Sequence, residues 1–356
     1  MSQHQQPIRG RGASNNPANR FATVEYEIDP DTALDEDDLP APHTEFYADD
    51  SRTIITENQS PDVGFDFSIN PYRGCEHGCV YCYARPTHEF LGFSAGLDFE
   101  MRIMVKQNAA SLLRKELSSS KWKPKVLGFS SVTDPYQPIE RSLKLTRGCL
   151  EVLAEFRNPV AIITKNRLVT RDIDLLLELA EHNAAKVFVS ITTLNGDLRQ
   201  KLEPRTSHHE GRLAAIEELT KAGITAGVMV APIIPGLTES EMPSILEAAA
   251  RVGAKFAGYT VLRLPGAVDR LFSQWLEDHF PNHKKKVLGR VETLHGGERD
   301  DNRFGVRMRG EGVIADLISQ MFQVTCKKLG LNPQPFQLST EAFRTPGYNQ
   351  LSLFED

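Results

Sequence analysis

From about residue 60 the chain alternates short apolar runs with longer segments of helical periodicity, and this alternation restricts the fold more than any other feature. Six apolar runs predict buried strands, at 65–69, 125–129, 160–164, 186–191, 225–234 and 256–264. Five predicted helices lie between them, at 106–118, 145–156, 169–182, 209–221 and 239–252. Strands joined by helices form βαβ units, so we predict an α/β fold with a parallel sheet. Periodicity alone does not distinguish a barrel from an open sheet.

Three cysteines lie close together directly after the first predicted strand. Cys75, Cys79 and Cys82 have the spacing C-x3-C-x2-C. Thiolates this close in one loop are typical ligands of a single metal centre. Three ligands for a four-iron cube would leave one iron open, and an open position is typical of a catalytic metal rather than a structural one. The carboxyl end of a parallel strand is also where barrel and open-sheet active sites form.

Other uses of these cysteines remain open at this point. A zinc site could recruit His77, or a thiol from Cys149 or Cys326. Zinc sites usually contain two C-x2-C pairs, and the sequence has no second pair. Five cysteines in 356 residues are too sparse for a disulfide framework. The spacing therefore favours an iron–sulfur centre over zinc.

Two segments resemble the radical S-adenosylmethionine (SAM) superfamily. One is the cysteine loop with its continuation through residues 82–85, and the other is Gly128–Glu140, which contains Thr-Asp-Pro-Tyr-Gln-Pro. Within this superfamily, the resemblance is to the branch that contains spore photoproduct lyase. It covers roughly residues 60–265 and implies a partial (β/α)6 TIM-type barrel. It also implies a 4Fe–4S cluster on the three cysteines, reductive cleavage of SAM and abstraction of a substrate hydrogen atom.

The resemblance also implies a SAM pocket at the carboxyl ends of the strands. Tyr81 would contact the adenine, and Val230 and Ala231 would line it. Lys165 would face the SAM carboxylate, because the zwitterionic end of SAM needs a cation. The implied SAM-binding residues are Tyr81, Ser130, Lys165, Ser190, Val230 and Ala231. Ser130 would meet the methionyl end, Ser190 would hydrogen-bond the ribose or the methionyl group, and no further catalytic residue is implied.

One departure from the lyase pattern concerns the substrate. Phe129 occupies the position at which spore photoproduct lyase has a hydrogen-donating cysteine. This departure argues against lyase-type DNA repair and favours a different substrate. A nucleic-acid-acting radical lyase remains an alternative, as do a metal-bearing nucleic-acid-binding protein and an iron–sulfur sensor without SAM chemistry. The basic stretch Arg303–Arg309 could grip phosphate or lie on a solvated surface.

Charge and composition suggest three regions. Residues 25–50 hold eleven acids and no Lys or Arg, which is typical of a disordered segment. We therefore expect an acidic unstructured leader at 1–52, a core barrel at 53–265 and a C-terminal extension at 266–356 that caps the barrel. No apolar run reaches the roughly 18 residues of a membrane helix. A cytoplasmic location and an electron donor of flavodoxin or ferredoxin type complete the prediction.

Overall fold

The computed structural model describes residues 7–22, 43–129, 131–335 and 337–346. Its described strands are β1 (Glu45–Ala48), β2 (Ile55–Glu57), β3 (Phe67–Ile69), β4 (Tyr72–Arg73), β5 (Arg102–Val105), β6 (Leu127–Phe129), β7 (Val160–Thr164), β8 (Ala185–Ser190), β9 (Thr225–Ile233) and β10 (Phe256–Val261). Its described helices are α1 (Leu97–Met101), α2 (Ala109–Leu117), α3 (Glu140–Leu143), α4 (Leu145–Phe156), α5 (Ile173–Ala180), α6 (Gly196–Leu202), α7 (His209–Lys221), α8 (Met242–Arg251), α9 (Ala267–His279), α10 (Pro281–Leu294) and α11 (Gly312–Leu329). Short 3₁₀ helices occupy Arg85–Leu91, Arg167–Asp172 and Glu239–Glu241.

The main sheet has the order β10-β9-β8-β7-β6-β3-β2. Six of its strands, β3 and β6 to β10, are parallel neighbours in chain order, and β2 is antiparallel to β3 at the edge. The predicted α/β fold with a parallel sheet is confirmed. Strands in chain order are the arrangement of an incomplete (β/α) barrel, in which every strand presents its carboxyl end at the same edge.

The helices between the strands pack side by side in the same order as the strands. Contacts join α2 to α4, α4 to α5 and α7 to α8. Fully buried side chains such as Leu150, Leu176, Ile216 and Ile245 join the helices to the sheet in one hydrophobic core. A parallel sheet covered in this way explains why its strands are almost continuously apolar in sequence.

The predicted elements agree with the observed ones except at several ends. Helices predicted at 145–156 and 209–221 are α4 and α7. The helix predicted at 169–182 begins as a 3₁₀ helix at Arg167, where the Asn166 side chain accepts a hydrogen bond from the Leu168 N–H. The helix predicted at 239–252 likewise begins with a 3₁₀ turn, and proline stands in the first turn of α8.

A second, smaller sheet was not predicted. It has the order β1-β5-β4, with β1 parallel and β4 antiparallel to the central strand. Strand β1 lies within the stretch expected to be an unstructured leader. Residues 7–22 of that stretch also lie against the rest of the protein, and Ala13 is buried. For residues 7–22 and 43–52 the expectation of disorder is wrong, because hydrogen bonds to the core order these segments. The boundaries of the three expected regions stay predictions.

The C-terminal region contributes helices that pack beneath the cysteine loop. Phe272, Trp275 and Leu276 of α9 share a hydrophobic cluster with Val80 and Tyr81. Helix α11 packs against α8. Val313 and Leu317 of α11 lie on its solvent side, with exposed fractions of 74% and 60%. In the part of the chain that the structure describes, no helix is long and apolar enough to cross a membrane.

Candidate active site at the cysteine loop

The three cysteines lie in the loop between β4 and the 3₁₀ helix that begins at Arg85. Cys75 and Cys79 are buried, and Cys82 is partly buried. The loop needs glycine at Gly74 and Gly78, where φ is +81° and +68°. A side chain at Gly74 would also press on the carbonyl oxygen of Phe99, 2.9 Å away. The backbone conformation of the loop therefore requires glycine at these two positions.

Burial raises the pKa of each of the three thiols above its ordinary value. A nearby acid and the neighbouring thiols raise the pKa of Cys75 further. Thiolates bind metals, so this pocket favours ionised cysteines only when a cation offsets the cost of burying them. The donor chemistry of the loop thus fits a metal cluster.

The three thiols do not form one tight group of ligand atoms. Among the described residues, only the ligand atoms of His208, His209 and Glu210 form a group within 4.8 Å of one another, and Cys75, Cys79 and Cys82 form no such group. Thiolates on one zinc ion, at about 2.3 Å from the metal, would have to converge more closely. Thiolates that bind separate irons of a cube stand further apart. A cube therefore requires less convergence of the three thiols than a single zinc ion does.

His77, the fourth ligand of the zinc alternative, is already engaged by the protein. Its Nδ1 lies 3.4 Å from the Asp134 carboxylate, and its Nε2 lies 3.3 Å from the side-chain nitrogen of Asn166. Asp134 also accepts hydrogen bonds from the Thr164 hydroxyl and the Lys165 N–H. Although burial opposes ionisation, His77 and these donors hold the pKa of Asp134 below its usual value. The Asp134 carboxylate thereby ties the cysteine loop to the end of β7.

The Thr-Asp-Pro-Tyr-Gln-Pro segment holds the cysteine loop by its backbone. The Thr133 hydroxyl donates to the Gly74 carbonyl at 2.6 Å. Gln137 accepts from the Glu76 N–H at 2.9 Å, and its amide nitrogen donates to Thr133 at 3.1 Å. These side chains are buried, so their hydrogen bonds fix the loop rather than exchange with water. Thr133 and Gln137 therefore hold the backbone of the cysteine loop in place.

Lys165, expected to face the SAM carboxylate, lies at the end of β7 in a buried polar network. Its Nζ lies 3.0 Å from Glu203 Oε1 and donates to the Ala231 carbonyl at 2.9 Å. Glu203 is fully buried and also pairs with Arg212. Although burial favours the neutral acid, Arg212 and Lys165 hold the pKa of Glu203 well below its ordinary value. Two cations thus share one buried carboxylate, which leaves a net positive charge.

The other predicted SAM contacts lie around this network. The Tyr81 hydroxyl donates to Glu203 and lies 3.2 Å from the Thr192 hydroxyl. Ser190 is buried at the end of β8, and its carbonyl accepts from Arg212 at 2.8 Å. Val230 is buried within β9, and Ala231 is partly buried beside it. Ser130 lies outside the described residues. The roles of these residues toward SAM stay predictions.

Sequence reasoning missed Glu203, Arg212 and Thr192 as members of the site. Glu203 follows α6 and Arg212 lies in α7, so both reach the network from outside the strands. A fully buried arginine and glutamate in the middle of a chain are a known sign of a polar network, but burial is not readable from the sequence. Thr192 lies two residues after the last residue of β8, and this position is the one feature of the sequence that could have indicated a place in the site.

A family model of the radical SAM superfamily matches residues 69–249, which include the cysteine loop, Lys165 and Glu203. The chain belongs to the radical SAM superfamily. It is therefore a radical SAM enzyme, and the cofactors of this class are a 4Fe–4S cluster and SAM.

Relatives of known sequence extend this result. An uncharacterized protein of Mycobacterium tuberculosis (strain ATCC 25618 / H37Rv) is 38% identical over 235 residues, which cover 65% of this chain and 67% of the relative. An uncharacterized protein of Methanocaldococcus jannaschii is 30% identical over 63% of this chain and 80% of the relative. A radical SAM Nα-GlyT isomerase of Pseudomonas phage M6 is 31% identical over 58% of this chain and 42% of its own length.

A solved structure of similar fold is spore photoproduct lyase complexed with dinucleoside spore photoproduct. The two structures superpose with a TM-score of 0.56 at 18% identity, over 80% of each chain. A doubly substituted mutant of the lyase with bound AdoMet and the dinucleoside has a TM-score of 0.54 over the same shares. The lyase and this chain share a fold, which confirms the resemblance that the cysteine loop indicated.

Proposed function

We propose that Cys75, Cys79 and Cys82 bind a 4Fe–4S cluster that cleaves SAM reductively for hydrogen abstraction from a substrate. The observation that carries the proposal is the position of the cysteine loop, which Asp134 joins to the backbone of Lys165 at 2.8 Å. This contact joins the cysteine loop to the strand end from which Lys165 reaches the Glu203 network, and this supports the proposal. When bound, the cluster supplies the electron that breaks the C–S bond of SAM.

The chain's own residues position and shield the cofactors in this proposal. Thr133 and Gln137 hold the loop, and the buried surroundings of the thiols exclude water. Lys165 binds the SAM carboxylate, because the pair of cations around Glu203 leaves one positive charge uncompensated. Ser190, Val230 and Ala231 line the nucleoside end from two adjacent strands. We also propose an electron donor of flavodoxin or ferredoxin type and a cytoplasmic location.

Anaerobic reconstitution with iron and sulfide, followed by reduction in the presence of SAM, tests this function. We expect close to four irons per chain and release of 5′-deoxyadenosine, measured by chromatography. A protein that binds iron but leaves SAM intact would point to a sensor without SAM chemistry. A protein that takes up one zinc and no iron would point to a structural metal.

We further propose that the substrate is a nucleic acid. The basis is a surface next to the cysteine loop, formed by Tyr83 and Arg263, which we call the mouth. Tyr83, the residue after Cys82, keeps 45% of its surface exposed. The guanidinium of Arg263, just beyond β10, lies over the Tyr83 ring at 5.2 Å and has no ion pair or hydrogen bond with any described residue. Burial and the neighbouring Arg307 lower the pKa of Arg263. An unpaired arginine beside an exposed aromatic ring suits a phosphate and a stacked base.

The relatives support the same substrate class without defining the reaction. A solved lyase of this fold holds a dinucleoside photoproduct. Phe129, at the place of the lyase cysteine, is fully buried in the core here, so it supplies no hydrogen atom. The pairing of Tyr83 with Arg263 therefore supports a nucleic-acid substrate, and Phe129 argues against lyase chemistry.

Binding of a short single-stranded DNA to reconstituted protein tests the substrate class. Loss of one phosphate contact or one stacking face should weaken binding about tenfold in Arg263→Met and in Tyr83→Leu. Arg251→Met on the exposed side of α8 is the control and should bind as wild type does. Equal affinity of all four proteins would reject a nucleic acid at this mouth.

A further inference from the structure

A stretch of the N-terminal region, residues 11–17, crosses the cysteine loop; we call it the strap. Gly12 lies so close to the loop that a Cβ on it would overlap the carbonyl oxygen of Gly78. The Leu97 N–H donates to the Asn15 carbonyl at 3.2 Å, and the Ser94 hydroxyl donates to the Pro17 carbonyl at 2.7 Å. The strap is thus in van der Waals contact with the loop between two of the cysteines.

A buried carboxylate also holds the strap in place. The two oxygens of Glu100 accept from the Gly12 N–H at 3.1 Å and the Ala13 N–H at 2.8 Å. The Arg11 guanidinium donates to the Glu100 carbonyl at 3.2 Å. Glu100 and Ala13 are buried, so water does not replace these donors in the folded chain. Displacing the strap would therefore leave part of a buried carboxylate without hydrogen bonds.

The same carboxylate is linked to a cluster ligand through one side chain. Glu100 pairs with Arg85, and neither side chain is exposed. Arg85 Nε donates to the Cys79 carbonyl at 3.0 Å, and its Nη1 donates to the Gly96 carbonyl at 2.9 Å. A buried ion pair stabilises a structure only when its remaining hydrogen-bonding groups are satisfied, and the strap supplies two of these donors. Strap, ion pair and Cys79 are one connected hydrogen-bonded unit.

We propose that the strap is part of the cluster site: it closes over the cysteine loop and, through Glu100 and Arg85, fixes the backbone of Cys79 for iron binding. The inference rests on the proposed cluster. It assigns Arg85 and Glu100 as positioning residues, since both act through the backbone of Cys79 and neither reaches the reacting atoms. It also assigns a role to N-terminal residues that composition alone places in a leader.

Substitution of Gly12 tests the strap without changing any charge. Gly12→Ala forces the strap away from Gly78, while Gly64→Ala, which meets no atom within 4 Å, is the matched control. Gly96→Ala is a second variant that displaces the strap from the other side, because its Cβ would overlap the Asn15 carbonyl. All three are made in the full chain and reconstituted anaerobically.

We expect iron to leave Gly12→Ala and Gly96→Ala about tenfold faster than wild type in the presence of a chelator, since the buried carboxylate loses hydrogen bonds. Trypsin should cleave after Arg11 faster in both variants, also in iron-free protein, and the electron paramagnetic resonance spectrum of the reduced cluster should change. Gly64→Ala should match wild type in all three measurements, and iron-free thermal unfolding checks that the variants are folded.

Wild-type rates of iron loss in both strap variants, with faster cleavage after Arg11, would overturn the strap's role while leaving the proposed function intact. Unchanged cleavage would show that the strap is not displaced by a Cβ at Gly12 and would equally overturn the inference. A wild-type chain that takes up no iron would instead overturn the proposed function, and the strap's role with it.

Discussion

The ammonium of Lys165 lies 3.0 Å from the carboxylate of Glu203, although the two residues come from different elements. The expected SAM-binding cation is therefore already held in place by a buried acid. Arg212 pairs with the same acid, so the group carries one more positive than negative charge. A ligand carboxylate can complete the charge balance without breaking either ion pair, which is why the pairing supports the assigned role of Lys165.

Lys165→Ala should weaken SAM binding about 10- to 100-fold, because a charge-assisted hydrogen bond typically contributes about 1.5–3 kcal/mol. Iron content should stay at the wild-type level, since Arg212 continues to balance Glu203. Calorimetry on reconstituted protein measures the affinity. Lys186→Ala, at the opposite end of β8, is the control. Equal SAM affinity in Lys165→Ala and wild type would reject this role and weaken the assignment of the other strand-end contacts.

Cys79→Ala should lose the cluster, because a cube held by two protein thiolates has lost one of its three anchors. Iron analysis and the visible absorption of the reconstituted protein measure the loss. Cys326→Ala is the control, since Cys326 is a buried thiol of α11 that lies in a different hydrophobic cluster. Full iron content in Cys79→Ala would contradict the proposed ligand set.

The sequence predicted what is locally encoded. Strand β7 and helix α4 have the predicted bounds, because apolar periodicity within one segment defines each of them. The pairing of Lys165 with Glu203 joins residues far apart in the chain, and no spacing rule indicates it. The strap was missed for a related reason: composition predicted disorder, whereas its order comes from hydrogen bonds between its backbone and the core, two of them to one buried carboxylate. Contacts of the backbone leave no compositional signal.

Gln137→Leu should destabilise the loop that carries the cysteines. The substitution leaves the buried Glu76 N–H, now 2.9 Å from the Gln137 oxygen, without an acceptor. An unsatisfied buried donor costs about 1–3 kcal/mol, which urea unfolding of the iron-free protein measures. Gln323→Ala on the exposed side of α11 should change the free energy of unfolding little. If Gln137→Leu unfolds at the wild-type urea concentration and keeps its iron, this segment does not hold the loop.

Glu203→Gln should lower stability at neutral pH, because it leaves Arg212 and Lys165 without their buried partner. Breaking such a pair typically costs about 3–5 kcal/mol. The cost should depend on pH. The pKa of Glu203 lies below its ordinary value of 4.5, so its ionisation stabilises the fold above that pH and the contribution is lost as the pH falls below it. The gap between wild type and Glu203→Gln should therefore narrow on acidification.

Urea unfolding of iron-free wild type and Glu203→Gln at neutral pH and at successively lower pH measures this gap. Other carboxylates titrate in the same range, and the difference between the two proteins removes their effect. Glu247→Gln is the matched control, since its contact with Arg251 is exposed and 3.9 Å long, and such surface pairs contribute little. A gap that stays constant with pH would show that Glu203 is not held ionised by Arg212 and Lys165. The positive charge left for a SAM carboxylate would then have to come from another residue.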